Sequence, residues 1–547
     1  MKIDSIFVNG RIRTLDADHP TAKSVGVHNG RIVGFDDDLR GLQVERKVDL
    51  AGSPVLPGFN DAHNHLTMTG MRLSCVSLRP DRIGSLDQLY AAVRKEAATL
   101  PGGAWVRGAG YDQNFLEGHP DADALDAVSA GHPVMLEHVS GHMMTVNSAA
   151  FERAGYSDRA AVPDFDGGAV GRTDDGRANG LLQERAMSFM YEQVRPIALD
   201  DVQRNLRLAS DQAVRYGLTS ITEPGIGDYS LVGNSPVDFH SYQVAVESGA
   251  LLPRITLMPL NTTLHDVEGF RDMSWFGLDL GVRTGFGDDR LRMGPVKIVS
   301  DGSFIGRSAA MHRCYHGEPD NHGVLQYDPK QLHEMIIGAH DAGWTVATHA
   351  VGDAAIDHVL DAVEEAQRQS PRPDVRHRIE HFAYTTGEQV RRAASLGIIG
   401  VPQGSFISDF GDGLMDAVDS GTSGHIFRMK SLLNAGMVLP GSTDAPVSEA
   451  NPLVSIHNMV NRRTASGRVL GPQEKLSVAE AVRAYTYGSA YAVGDESEKG
   501  TLRVGQLADM VVLSEDVFDI DVETIRDVTV GATVIGGDVV YGDLSSH

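Results

Sequence analysis

The chain has only two cysteines in 547 residues, Cys75 and Cys314. Two thiols cannot build a disulfide framework, so a reducing, cytoplasmic setting is the expectation. Long apolar runs are missing as well. No stretch approaches the ~20 uninterrupted apolar residues of a membrane span, and the opening MKIDSIFVNGRIRTLD has no run of signal-peptide length. Positive charge is scarce: 48 Lys+Arg against 73 Asp+Glu leave a net charge of −25. That excess repels phosphate backbones and anionic surfaces, which argues against nucleic acid or membrane as partner and leaves small molecules. What remains is ordinary for a folded protein, with 41% hydrophobic and 22% charged residues. Two residue types stand out: 60 Gly, which favours many tight connections, and 22 His.

The length alone would suit about three or four domains, but a closed α/β barrel spends roughly 250 residues on one. The first 56 residues read as short strands with Asn-Gly turns at Asn9-Gly10 and Asn29-Gly30. The stretch from GTLRVGQLADMVVL to VVYGD has the same texture. Each piece is too small for its own core, so residues 1–56 and 498–547 are expected to pair into one composite β-sandwich domain. Between them, in 57–497, amphipathic helical stretches alternate with short Val/Ile-rich runs: SITEP, RITLMPL, GPVKIVSDG, WTVATHA, RHRIEHF, IIGVPQ and VLPGSTDAP. With PVLPGFNDAHNH as the first strand this makes about eight βα units, hence an α/β fold of distorted (β/α)8 TIM-barrel type. Residues 76–180 are too long for one βα connection and are expected to form an insertion over the barrel mouth.

The polar residues that close these runs carry the chemistry. His63 and His65 lie at i and i+2 of a strand end, so both imidazoles face one side, as half of a Zn, Fe or Mn site would require. His349 in ATHAVGD, His381 in RIEHF and Asp444 in GSTDAP each end a further run, at the face where barrels keep their active sites. Taken singly, each suits a structural hydrogen bond or a helix cap. Four His and one Asp at four strand ends together point to a shared metal site. Lys297 lies inside the apolar run PVKIVSDG, where an amine is costly unless neutralised or paired. Carboxylation by CO₂ would make it an anionic ligand able to bridge two ions; snorkelling or pairing with Asp301 is the alternative.

With these motifs in order, the sequence resembles the amidohydrolase superfamily, most closely its YtcJ-like branch. The branch resemblance rests on VKIVSDGSFIGRSAAM, SGHMMTVNSAAFERAG, GGAVGRTDDGRANGLLQE and KGTLRVGQLADMVVL. It implies a distorted barrel plus a small β-sandwich from both chain ends. It further implies that His63, His65 and Asp444 hold the more buried of two metals, taken as Zn with Mn or Fe as alternatives. His349 and His381 would hold the more exposed one, and carboxylated Lys297 would bridge them.

Such a site performs metal-assisted hydrolysis: a water between two cations is acidified, and the exposed cation polarises a carbonyl. Asp444 is the candidate catalytic proton carrier. Candidate substrate contacts are His142, Gln403, Trp105 and Tyr111, with Phe115 beside the aromatic wall; His142 equally suits a structural role. Asp301 and Arg307 are read as a salt link holding the loop behind Lys297. The resemblance implies C–N hydrolysis of a small, non-peptide amide, with an N-substituted formamide as the specific expectation. The alternatives are a cyclic-amide hydrolase, a deaminase or a non-catalytic relative. AVGDAAIDH after His349 lacks the Glu that a mononuclear deaminase would carry there, and all six ligand positions are filled. A homodimer is expected, since large barrels commonly pair.

Overall fold

The computed structural model describes residues 2–544, apart from 81, 114, 140, 142, 166–167, 229–232, 270–273 and 420. The chain divides into two compact units, one of residues 1–65, 210–228 and 242–547, the other of 66–209 and 229–241.

In the first unit, residues from both chain ends share a six-stranded sheet. Pro54–Pro57 pairs in parallel with Arg11–Arg13 and antiparallel with Met510–Leu513. A second, four-stranded sheet is built wholly from the first 49 residues. Alternating burial along Lys2–Val8 follows from the two-residue period of a strand. It sends Phe7 into one apolar cluster with Ile12, Val27, Val48, Val55, Val512 and Val534. Neither terminal segment supplies that core alone.

The same unit contains two four-stranded parallel sheets. One includes β1 (Phe59–Asp61), β2 (Leu218–Ile226) and β3 (Arg254–Pro259) in neighbouring positions. The other is β4 (Val296–Val299), β5 (Val346–Ala350), β6 (Arg378–His381) and β7 (Ile399–Val401). A parallel bridge between Leu260 and Lys297 joins β3 to β4. On the other side the 441–445 segment exchanges backbone hydrogen bonds with the end of β1: Ala62 to Gly441, Asp444 to His63, and His65 to Ala445. Gly441 permits this path, because a Cβ there would stand 2.4 Å from the Tyr485 ring. The Tyr485 hydroxyl donates to the Ser442 carbonyl at 2.7 Å.

Every residue of β2 and β3 is buried, so neither strand shows the alternation of a half-exposed one. Helices follow the strands. Helix α1 (Pro329–Asp341) starts with Asp328 as its cap and Pro329 at its first position. Helix α2 (Asp353–Gln369) buries Ile356, Val359, Leu360 and Val363 on one face.

The second unit holds its own six-stranded sheet, in which Val106–Tyr111 and Val134–His138 pair in parallel. It is wider than the 76–180 stretch singled out by sequence, because the chain from 66 to 209 is continuous within it.

Candidate metal centre

The register of β4, β5 and β6 brings the polar ends of three separate runs side by side. Lys297 stands opposite Ala347, Val299 opposite His349, and Ala350 opposite His381. His63 and His65 follow β1, and Asp444 lies within the 441–445 segment bonded to it. Asp61 fastens that junction. Its carboxylate accepts from the Thr443 hydroxyl at 2.5 Å, from Asn64 Nδ2 at 3.0 Å and from the His63 amide at 3.1 Å. Burial nonetheless raises its pKa to about 6.

His63 Nε2 and His65 Nε2 lie 3.3 and 3.2 Å from the same oxygen, Asp444 Oδ1. All three residues are buried, and each offers a ligand atom within 4.8 Å of the others. His63 Nε2 and Asp444 Oδ1 are shielded from solvent and have no hydrogen-bond partner. A buried polar atom without a partner costs about 1–3 kcal/mol, so two facing each other are what a cation site leaves behind. The donor set of two imidazoles and a carboxylate fits a divalent transition metal.

His381 packs its ring against His63 at 5.1 Å and against His349 at 4.5 Å between centroids. Gln403 Oε1 is 2.8 Å from His381 Nδ1, while Gln403 Nε2 donates to the Val401 carbonyl and Ser442 Oγ. Both ends of that amide are engaged with protein groups, so Gln403 positions His381 rather than offering an open substrate contact. Burial lowers the His381 pKa to about 4, and it lowers that of His349 well below the usual imidazole value with the help of His381 and Lys297. Burial opposes charge on His65 too, but Asp444 and Glu223 outweigh it and raise that pKa to about 9. Lys297 is 3% exposed, and burial lowers its amine to about 8 against the pull of Glu380 and Asp444.

Two of these positions, and the residue after His381, have left-handed backbone: His381 at φ 69°, Phe382 at 42° and Asp444 at 56°. Non-glycine residues adopt such angles at a cost of about 1–3 kcal/mol, and that strain concentrates where side chains are aimed at a function.

Sequence reasoning missed two carboxylates. Glu380 contacts His63 Nδ1 through Oε2, and Arg378 binds both its oxygens at 2.8 and 2.9 Å. Burial works against its charge, yet Arg378 and His63 hold it far below the usual carboxylate range. Glu223 lies 3.6 Å from His65 Nδ1 and accepts from the Tyr242 hydroxyl at 2.7 Å. Both sit inside apolar strand runs, SITEP and RIEHF, and a charge in such a run is the signal that singled out Lys297.

The remaining candidates fall elsewhere. Asp301 is buried and accepts backbone hydrogen bonds from Ala310, Val351 and Gly352; Oδ1 is 3.4 Å from His349 Nε2. Burial raises its pKa to about 7. Arg307 pairs instead with Glu318 at 2.5 Å, so the two residues hold the loop separately and not through a salt link with each other. Tyr111 is fully buried in an apolar cluster of the second unit, its hydroxyl 3.0 Å from Thr145 Oγ1. Trp105 packs half-buried against another cluster of that unit, whereas Phe115 is exposed. His142 lies outside the described residues.

Residues 46–541 match the family model described as the amidohydrolase family. The chain belongs to the amidohydrolase family. It is 29% identical over 98% of its length to YtcJ of Bacillus subtilis (strain 168), which is named as an amidohydrolase, covering 99% of that protein. An N-substituted formamide deformylase of Arthrobacter pascens is also 29% identical, with 98% of each chain covered. A metal-dependent hydrolase of Pyrococcus furiosus superposes with a TM-score of 0.74 at 25% identity, over 94% of this chain and 100% of the other. These likenesses place the chain in the YtcJ-like branch, as a metal-dependent enzyme that hydrolyses carbon–nitrogen bonds.

Proposed function

We propose that this amidohydrolase cleaves the C–N bond of a small N-substituted amide, with an N-substituted formamide as the preferred class. The observation that carries the metal-dependent part is the convergence of His63 Nε2 and His65 Nε2 on Asp444 Oδ1. The name of the Arthrobacter relative supports the formamide class. In this reading β1 to β7 and the 441–445 segment make up a distorted (β/α)8 barrel. Residues 1–56 and 498–547 form a composite β-sandwich domain, and the enzyme works as a cytoplasmic homodimer.

His63, His65 and Asp444 would hold one divalent ion and His349 with His381 a second, both zinc, with Lys297 as a carbamate between them. Ions bound there supply Lewis acidity, acidifying water and polarising the substrate carbonyl. The chain's own groups do the rest. Glu380 accepts the Nδ1 proton of His63 and Gln403 that of His381, so each ring presents Nε2. The Asp444 carboxylate takes the proton of the attacking water and passes it to the leaving nitrogen. The buried Lys297 amine, flanked by Glu380 and Asp444, can meet CO₂ in its neutral form.

The test is a hydrolysis screen of the zinc-loaded enzyme on N-substituted formamides, larger amides, carbamates, cyclic ureas and esters. Formate release from N-substituted formamides is the expected result. Turnover of esters or lactones with every acyl–nitrogen substrate untouched would overturn the reading.

A further inference from the structure

Among the described residues, only two groups of three His, Cys, Asp or Glu side chains bring ligand atoms within 4.8 Å of one another. One is His63, His65 and Asp444. The other is His333, His358 and Asp361, which lies on the helices and plays no part in the chemistry above.

His333 belongs to α1, and His358 and Asp361 belong to α2. Spaced i and i+3, the two α2 residues share one helix face. Across the helix pair the His333 and His358 rings stand 6.1 Å apart between centroids, inclined at 67°. His333 Nε2 is shielded from solvent and has no hydrogen-bond partner. His358 and Asp361 also line a cleft of about 530 Å³ with His312, Gln389 and Arg392, which gives an ion a route from solvent.

We propose that His333, His358 and Asp361 bind a divalent transition-metal ion that clasps α1 to α2, separately from the catalytic centre. Two imidazoles and one carboxylate select Zn²⁺, Ni²⁺ or Cu²⁺ over Mg²⁺ and Ca²⁺, which prefer all-oxygen shells. Three protein ligands leave a further position for water from the cleft. Arg392 competes for the carboxylate, with Nη2 2.7 Å from Asp361 Oδ1. That competition is weak, because the Asp361 side chain is 50% exposed and such pairs contribute little. Arg392 also contacts Glu364 and retains that partner when Asp361 turns to the ion.

The experiment compares wild-type enzyme with H333A/H358A, both metal-loaded and dialysed against buffered Zn²⁺, by elemental analysis of bound zinc. Wild type should hold one equivalent per chain more than the double variant, while kcat stays equal and the far-ultraviolet circular dichroism is unchanged. R392Q should retain the extra equivalent at lower free Zn²⁺ than wild type. If the double variant loses its fold, D361N replaces it with the same expected loss. Equal zinc content in wild type and variant overturns the proposal. So does loss of the equivalent in step with loss of turnover, since the missing ion is then catalytic.

Discussion

Glu380 holds His63 from behind: its Oε2 meets Nδ1, and the opposite nitrogen, Nε2, is left facing Asp444 at 3.3 Å. The contact fixes both the tautomer and the ring orientation, and it makes the imidazole a stronger donor. E380Q should therefore weaken metal binding by about 10–100-fold, the usual effect of losing such a partner. A chelator competition on the folded variant measures this, and unchanged affinity would remove the role. The variant should also be less stable by about 3–5 kcal/mol, because Arg378 is fully buried and loses its counter-charge.

Asp444 faces both imidazoles and also lies within the electrostatic reach of His381. If it carries the proton from water to the leaving nitrogen, D444N should keep most of its metal while kcat falls by about 10²–10⁴. Metal content and kcat measured on one preparation separate ligation from proton transfer. Wild-type turnover in the metal-replete variant would sink the assignment.

Lys297 is buried beside two carboxylates rather than snorkelling to solvent, and its bridge partner is the Leu260 backbone. A carbamate there predicts that K297A loses one of two metal equivalents. Growth and purification under CO₂ depletion should lower the metal content of wild type but not that of K297A. Full occupancy in K297A would exclude the bridge.

The parts of this site that could be read in the sequence are those whose chemistry is unusual for their position. His63 and His65 two residues apart, and His349, His381 and Asp444 at the ends of apolar runs, stand out against the Val and Ile around them. Their convergence depends on strand register, which places Ala350 beside His381 on the next strand, and on the pairing of His63 with Asp444 across hundreds of residues. Local pattern carries no such long-range pairing. Glu380 was hidden because it adjoins a more conspicuous residue, and Glu223 because its run, SITEP, has no histidine beside it to mark a ligand. Tyr111 shows the opposite error. An aromatic beside glycines reads as a pocket wall, but Tyr111 fills a core that forms only when Leu89, Val93 and Leu136 pack around it.

The pH dependence of stability at mildly acid pH should carry a contribution from a buried histidine pair outside the proposed ligand set, His377 and His340. The Val346 amide donates to His377 Nδ1 at 3.0 Å, so Nε2 of His377 carries the proton and meets His340 Nδ1 at 2.8 Å. His340 Nε2 then donates to the Ser370 carbonyl at 2.7 Å. A second proton on His377 would set two N–H groups against each other in a buried site. Burial, reinforced by His340 and Arg372, accordingly lowers the His377 pKa to about 3. Below the ordinary value of 6.5 the unfolded chain binds this proton and the folded chain does not. The stabilisation is thus fully present above about pH 6.5 and is lost as pH falls toward 3, by about 1.4 kcal/mol per unit. Urea midpoints of the wild type between pH 7 and pH 4 should fall with that slope in excess of the H377Q variant. H377Q should start from a lower midpoint at pH 7, because the Val346 amide and His340 lose their partner. Identical slopes in the two proteins would show that His377 does not supply the linkage.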